Sequence, residues 1–98
     1  MKEIVLESSQ KLEKMIEDNE DFIIHEAVVN SILENLDNKR NNIHLLSLVC
    51  KEDNYTFNIT LEKKWFAQTL KENLVKFVER EKYEECEQIK EAINKLEK

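Results

Sequence analysis

Apolar residues along this chain of 98 residues change from helical spacing to alternation and back to helical spacing. Within residues 22–38 an apolar residue recurs at every fourth position, at Ile24, Val28, Ile32 and Leu36. This spacing predicts a helix, and the neighbouring Val29 and Leu33 widen its buried face. The polar residues 19–21 before it predict a break, with Asp21 as the helix cap.

The middle of the chain has the pattern of a β-hairpin. Polar residues alternate there with four apolar ones, Tyr55, Phe57, Ile59 and Leu61. Because the side chains of a strand alternate between its faces, this segment predicts a strand with one apolar face. An apolar run of strand length precedes it at residues 43–50, and residues 52–54 have turn-forming side chains. His44 and Cys50 are an even number of positions apart, so we expect them on the same face.

The first residues of the chain fit two descriptions. Residues 3–18 can form one helix, with Ile4, Leu12 and Met15 near one face. Alternatively, the β-branched pair Ile4 and Val5 belongs to a short strand over residues 3–6, and a helix follows from Ser8. Both descriptions stay open at this point.

Helical spacing returns after residue 61, and Thr60 is a candidate cap for that helix. A first apolar stripe consists of Phe66, Leu70, Leu74 and Phe77. A second stripe starts at Tyr83, out of phase with the first, after four charged residues at 79–82. This change of phase predicts two antiparallel helices instead of one long helix.

Together these segments predict a single α+β domain over residues 1–98. N-terminal helices and one β-hairpin occupy residues 1–61, which hold all of the acidic excess. A C-terminal antiparallel helical hairpin occupies residues 62–98.

The net charge of −6 is concentrated in the first part of the chain. Between Glu13 and Asp37 there are eight acidic residues and one basic residue, Lys14. Such a surface repels nucleic-acid phosphates, so we expect no direct binding to DNA or RNA.

Composition also indicates where the protein works. The apolar stretches are too short for a membrane span or a secretion signal, so we expect no membrane partner. Two cysteines are too few for a disulfide scaffold, which favours a cytoplasmic location. The bias toward Lys, Asn, Ile and Glu is typical of an AT-rich genome, so a bacterium or a phage-infected host cell is the expected setting.

Residue types that carry catalysis or bind metals form no recognisable pattern in this sequence. His25, His44, Cys50 and Cys86 lack the spacing of a zinc site. Cys86 lies among three glutamates, whose charges disfavour a thiolate, and the chain has no glycine for a phosphate-binding loop. We therefore expect no catalytic residue, no metal site, no cofactor and no enzyme activity.

After the change of helical phase the chain contains Tyr83-Glu84, Cys86, Ile89-Lys90-Glu91, Ile93 and Leu96, with Leu74 and Phe77-Val78 upstream. Over about residues 70–98 this arrangement resembles the UVR motif. That motif is a short helical hairpin of the excision-repair proteins UvrB and UvrC and of some Clp-type chaperones and their adapters. The chain departs from it at Glu87, where a small residue is usual, and at Lys90 and Glu91, which replace an Arg-Asp pair.

The resemblance implies protein–protein docking, whereas a plain helical hairpin packed on its own domain is the alternative. We therefore predict an adapter or regulatory module that docks on a larger protein through the C-terminal hairpin. Its expected partner-binding residues are Tyr83, Glu84, Lys90, Glu91 and Trp65. Trp65 follows two lysines and is either a partner anchor or a core residue with an exposed edge. Whether the chain forms a homo-oligomer stays open.

A second hypothesis uses the acidic part of the chain. An inhibitor of a nucleic-acid enzyme, of the kind that phages encode, would act through the acidic face of residues 13–37. Its candidate residues are Glu17, Asp18, Glu20 and Asp21.

Overall fold

The computed structural model of the protein describes residues 3–98, which form a mixed three-stranded sheet and four α-helices. In chain order the elements are β1 (Glu3–Leu6), α1 (Ser9–Glu17), α2 (Phe22–Glu34), β2 (Asn42–Cys50), β3 (Tyr55–Glu62), α3 (Phe66–Glu79) and α4 (Tyr83–Leu96). The α+β class, the β-hairpin and the adjacent pair of C-terminal helices are confirmed.

The N-terminal alternatives are resolved in favour of the strand. β1 pairs in parallel with the central strand β2, which places Leu6 beside Cys50 and buries it. Helix α1 begins after Ser8, whose Oγ accepts a hydrogen bond from the backbone N–H of Lys11 (3.2 Å). This cap satisfies one of the donors that the first turn of a helix leaves free.

One irregularity in β2 decides which side chains face the helices. The register against β3 shifts between His44 and Leu46, so Leu45 is the extra residue of a β-bulge. His44 lies beside Thr60 and Cys50 beside Tyr55, on opposite faces of the sheet. The expectation that His44 and Cys50 share a face is therefore wrong, because one inserted residue reverses a two-residue repeat.

The hydrophobic core lies between the sheet and the helices. It combines leucines of β2 with large residues of α2, α3 and α4, among them Leu46, Leu48, Ile32, Phe66, Phe77 and Ile89. Burying each such side chain stabilises the fold by about 1.5–3 kcal/mol. The opposite face of the sheet has a polar centre, where the hydroxyl of Ser47 donates to Oδ1 of Asn58 (2.7 Å). The sheet is thus apolar on its helix-facing side, and its other side combines this polar centre with Val5 and Val49.

Helix α3 starts later than the sequence predicts. Thr60 does not cap it, because Thr60 pairs with His44 inside the β2–β3 ladder. The strand continues to Glu62, and the N–H of Lys63 donates to the carbonyl of Asn41 (2.7 Å). A 3-10 turn, Lys63–Trp65, then leads into α3.

The predicted break between the C-terminal helices is confirmed at residues 80–82. Glu81 has a positive φ of 57°, and the N–H of Lys82 donates to the carbonyl of Phe77 (3.0 Å). This bond, with that from the N–H of Glu81 to the carbonyl of Val78 (3.0 Å), forms a Schellman motif that ends α3. Glycine usually occupies the left-handed position of the motif, and glutamate takes it in this glycine-free chain.

Candidate functional site

The candidate site is the outer side of the hairpin formed by α3 and α4. Its two helices run antiparallel, because Nζ of Lys71, early in α3, lies 2.9 Å from Oε2 of Glu97, just after α4. The inner side of α4 belongs to the core through Cys86, Ile89 and Ile93, which are all buried. The hairpin therefore packs on the rest of the fold. Because its inner side is buried, its outer side has a defined position.

Exposed apolar residues flank the turn of this hairpin. Tyr83, the first residue of α4, has 61% of its surface exposed. Val75 and Val78 of α3 are exposed as well, and their i, i+3 spacing places them next to each other on that helix. None of the three belongs to the core cluster, so the packing of the hairpin does not explain why they are apolar.

Charged residues continue this surface along α4. Glu84, Lys90 and Glu91 are exposed, and Nζ of Lys90 lies 3.7 Å from Oε1 of Glu87 one turn earlier. We call the set formed by Val75, Val78, Tyr83, Glu84, Lys90 and Glu91 the hairpin surface. Its apolar members lie on α3 and at the first residue of α4, and its charged members lie along α4. The sequence indicated the members on α4 but not the two valines.

Trp65 does not lie near Tyr83. The two residues flank α3, and its 14 residues place them about 20 Å apart along the helix axis. Trp65 has 51% of its surface exposed, and Nζ of Lys64 lies 5.6 Å from the centre of its ring. The predicted partner-binding residues thus fall into two separate places, with Trp65 outside the hairpin surface.

The acidic candidates lie where α1 ends and α2 begins. Glu17, Asp18 and Glu20 are exposed, whereas Asp21 is half-buried. A carboxylate oxygen of Asp21 lies 3.1 Å from Nε2 of His25, one helical turn later. Asp21 is therefore already engaged in a contact within its own helix.

Basic residues from the C-terminal helices reach this acidic segment. Nζ of Lys76 donates to Oδ1 of Asn19 (3.0 Å), and the guanidinium of Arg80 lies 5.0 Å from the ring centre of Phe22. Further along, Nζ of Lys95 lies 3.3 Å from Oδ1 of Asp37. The run of acids between residues 13 and 37 is consequently interrupted in space by bases that are distant in sequence.

A polar contact that the sequence did not reveal connects α2 with α3. Nδ1 of His25 lies 2.7 Å from Oδ1 of the buried Asn73, whose Nδ2 donates to the carbonyl of Thr69 (2.8 Å). Because that amide donates through its nitrogen, its oxygen accepts the proton on Nδ1 of His25. The contact joins helix α2 to helix α3.

The remaining chemistry-bearing residues are dispersed. Within residues 3–98 no three His, Cys, Asp or Glu side chains are grouped so that they could hold a metal ion. Cys50 and Cys86 are free and buried. Over the same part of the chain, none of the helices has the length and apolar character needed to cross a membrane. No protein-family model, curated protein or solved structure matches this chain.

Proposed function

We propose that this protein is a small intracellular interaction module, an adapter or regulator, which docks on a larger protein through the hairpin surface. The observation that carries the proposal is that the C-terminal hairpin has one buried side and one side with exposed apolar residues. Its inner side completes the core, while its outer side exposes Tyr83, Val75 and Val78, which the fold does not use. Exposed apolar groups with charges around them are typical of protein-binding surfaces.

Tyr83 is the residue of this surface from which we expect the largest contribution to binding energy. Tyrosine has only a few rotatable bonds, so it gains a large contact area on binding at a small entropic cost, and it is enriched among residues that dominate binding energy. The mixed charges of Glu84, Lys90 and Glu91 fit a role in orienting the partner and in speeding association. Because α4 is fixed by its buried side, the surface is preformed, and docking does not require a folding step.

The resemblance of residues 70–98 to the UVR motif supports the same proposal, since that motif serves protein–protein contacts. We propose a cytoplasmic setting in a bacterial or phage-infected cell, on the compositional grounds given above. Catalysis has no part in the proposal, and neither does a cofactor.

The test compares point variants of the full chain, because removing α4 would expose the core residues Phe77 and Leu70. The tagged chain, Tyr83→Ala and Lys90→Glu are used to capture proteins from a lysate of the native host. Ile23→Ser is the matched control, since Ile23 is an exposed apolar residue on α2, outside the hairpin surface.

We expect one protein to be retained by the unmodified chain and by the control, and retention by Tyr83→Ala to fall about tenfold or more. Circular dichroism should show the same thermal unfolding for all four proteins, since these positions are exposed. Equal capture by the folded Tyr83→Ala and Lys90→Glu variants would refute docking through the hairpin surface. Loss of capture after charge reversal at Glu17, Asp18 and Glu20 instead would favour the inhibitor hypothesis.

A further inference from the structure

The outer edge of β3 has unused backbone hydrogen-bonding groups. β3 is the last strand in the sheet order β1-β2-β3, so it has a strand neighbour on one side only. The N–H of Lys63 donates to Asn41 across the β2 side, and backbone groups of a strand alternate between its two edges. The N–H and C=O groups of Thr56, Asn58 and Thr60 therefore point away from β2, and all three residues are exposed.

This edge lacks the usual protection against pairing with another strand. Proteins normally place lysine, proline, a bulge or a covering element on an exposed edge. Residues 55–61 of β3 contain no charged residue and no proline, and the bulge of this sheet is in β2 instead. Threonine, isoleucine and aromatic residues, which favour strands, fill most of the segment.

Two aromatic rings at this edge are also left uncovered. Tyr55 and Phe57 pair with Cys50 and Leu48, so they lie on the helix-facing side of the sheet. Their partners are buried, whereas Tyr55 is 55% and Phe57 39% exposed. The two ring centres are 4.6 Å apart, so the pair forms one apolar patch beside the free edge. Among residues 3–98 the helices leave both rings partly uncovered.

We propose that β3 pairs antiparallel with β3 of a second copy of this chain, about a two-fold axis at Asn58, to form a six-stranded sheet. We identify the partner strand as a second β3 because the residues of this edge are complementary to themselves in an antiparallel pair. With Asn58 on the axis, Phe57 lies opposite Ile59 and Tyr55 opposite Leu61 of the other copy, and Thr56 lies opposite Thr60. Aromatic–aliphatic and Thr–Thr pairs are among the stabilising cross-strand combinations.

The hydrogen-bonding pattern agrees with this axis. Asn58, Thr56 and Thr60 are the residues whose backbone groups face outward, and each is placed opposite another member of that set. About six main-chain hydrogen bonds follow from the three pairs. An axis perpendicular to the sheet keeps both helical layers on one side, where Tyr55 and Phe57 of each copy are covered by Ile59 and Leu61 of the other.

The charges beyond the paired segment favour the same register. In this register Glu52 of one copy is brought to the side of Lys64 of the other. Asp53 and Lys63 do not add to this attraction, because they contact Ser9 and the carbonyl of Asn38 within their own copy. Moving the axis to Phe57 would instead place Glu52 opposite Glu62, which is a repulsive combination. Moving it to Ile59 would place Tyr55 opposite Lys63. The axis at Asn58 is thus the one that pairs the whole uncharged segment and sets opposite charges together.

The first experiment measures the mass of the full chain by light scattering and sedimentation equilibrium. We expect a mass near twice the 11.7 kDa of one chain at concentrations on the order of 100 μM, where a micromolar Kd gives mostly dimer. A single-chain mass at that concentration would overturn the proposal. So would a dimer that the following variants leave unchanged.

Two double variants test the pairing. Both change Thr56 and Thr60, but one introduces like charges and the other introduces opposite charges. Thr56→Lys with Thr60→Lys sets like charges opposite each other twice across the axis, whereas Thr56→Lys with Thr60→Glu sets opposite charges together. Within one chain the two positions are four residues apart on an exposed face, so neither variant disturbs the core. We expect the dimer dissociation constants of the two variants to differ by roughly tenfold, with the all-lysine variant weaker. Equal constants in two folded variants would refute this register.

A cross-linking measurement checks the axis directly. Asn58→Cys places two thiols opposite each other at about 5.5 Å between Cα atoms, within disulfide range. Thr56→Cys, the control, leaves its two thiols about 13 Å apart along the strands. With oxidised glutathione as the oxidant, we expect a covalent dimer from Asn58→Cys and none from Thr56→Cys. The reverse result would place the axis elsewhere and overturn the proposal.

Discussion

A single buried hydroxyl contacts the bulge in β2, which makes Ser31→Ala an informative substitution. Ser31 lies in α2 and is 3% exposed, and its Oγ donates to the backbone carbonyl of Leu45 (2.7 Å). Leu45 is the extra residue of the bulge, so its carbonyl lies where the ladder is locally disrupted. Removing the hydroxyl takes a donor from a buried acceptor at the point where helix and sheet meet.

The expected cost is worked from two opposing effects. Loss of the hydrogen bond to a buried carbonyl costs about 1–3 kcal/mol. Alanine favours a helix more than serine by about 0.5 kcal/mol, which offsets part of that loss. The net destabilisation is therefore about 0.5–2.5 kcal/mol. In a domain of this size each 1 kcal/mol lowers Tm by about 4–8 °C.

Urea unfolding followed by far-UV circular dichroism measures the change in free energy, with Asn30→Ala as the control. Asn30 precedes Ser31 in α2 and is exposed, so its replacement has a similar helix-propensity benefit and no buried bond to lose. Because the helix-propensity gains cancel, the free energies of unfolding of the two variants should differ by about 1–3 kcal/mol. A difference below about 0.5 kcal/mol would refute the reasoning, since Leu45 would not depend on Ser31.

Two further predictions concern the ends of helices. Glu81→Gly should stabilise the protein by about 0.5–1 kcal/mol, because Glu81 occupies a left-handed position (φ 57°) that a Cβ makes unfavourable. Asn54→Gly, at another left-handed position (φ 50°) with a tolerant residue, should change the urea midpoint less, and equal effects would contradict this cause. Asp53→Asn should make stability less dependent on acid pH. Hydrogen bonds from Ser9 hold the pKa of Asp53 below its usual 3.8, so its contribution is complete above that value and is lost as the pH falls through the lowered pKa. Urea titrations at pH 6 and at about pH 3 should therefore show a difference between wild type and variant that shrinks in acid; a constant difference would argue against the contact.

Most of the element order was predictable because the spacing of apolar residues changes where the structure changes. The helices over residues 22–34 and 66–79 and the β3 strand each carry one clear period. Residues 3–6 were ambiguous, because four residues are too few to distinguish two periods. The strand forms there because β2 offers an edge to pair with, and β2 lies about 40 residues further along the chain.

The bulge was not predictable from the sequence. Residues 43–50 are nearly all apolar, so inserting one residue leaves no visible break in their pattern. Its consequence, the separation of His44 and Cys50 onto different faces, depends on the pairing of β2 with β3.

The two proposed surfaces are compatible within one molecule, and their combination has a physical consequence. Pairing through β3 uses the free edge of the sheet, while the hairpin surface lies on α3 and α4 and stays exposed. Since the two-fold axis is perpendicular to the sheet, the proposed dimer carries both hairpin surfaces on the same side. A partner with two neighbouring sites would then bind the second one intramolecularly, so its apparent affinity would exceed that of a single hairpin without any new contact. Variants that dissociate the dimer should therefore weaken binding to a bivalent partner while leaving each hairpin surface intact, which separates avidity from direct contact.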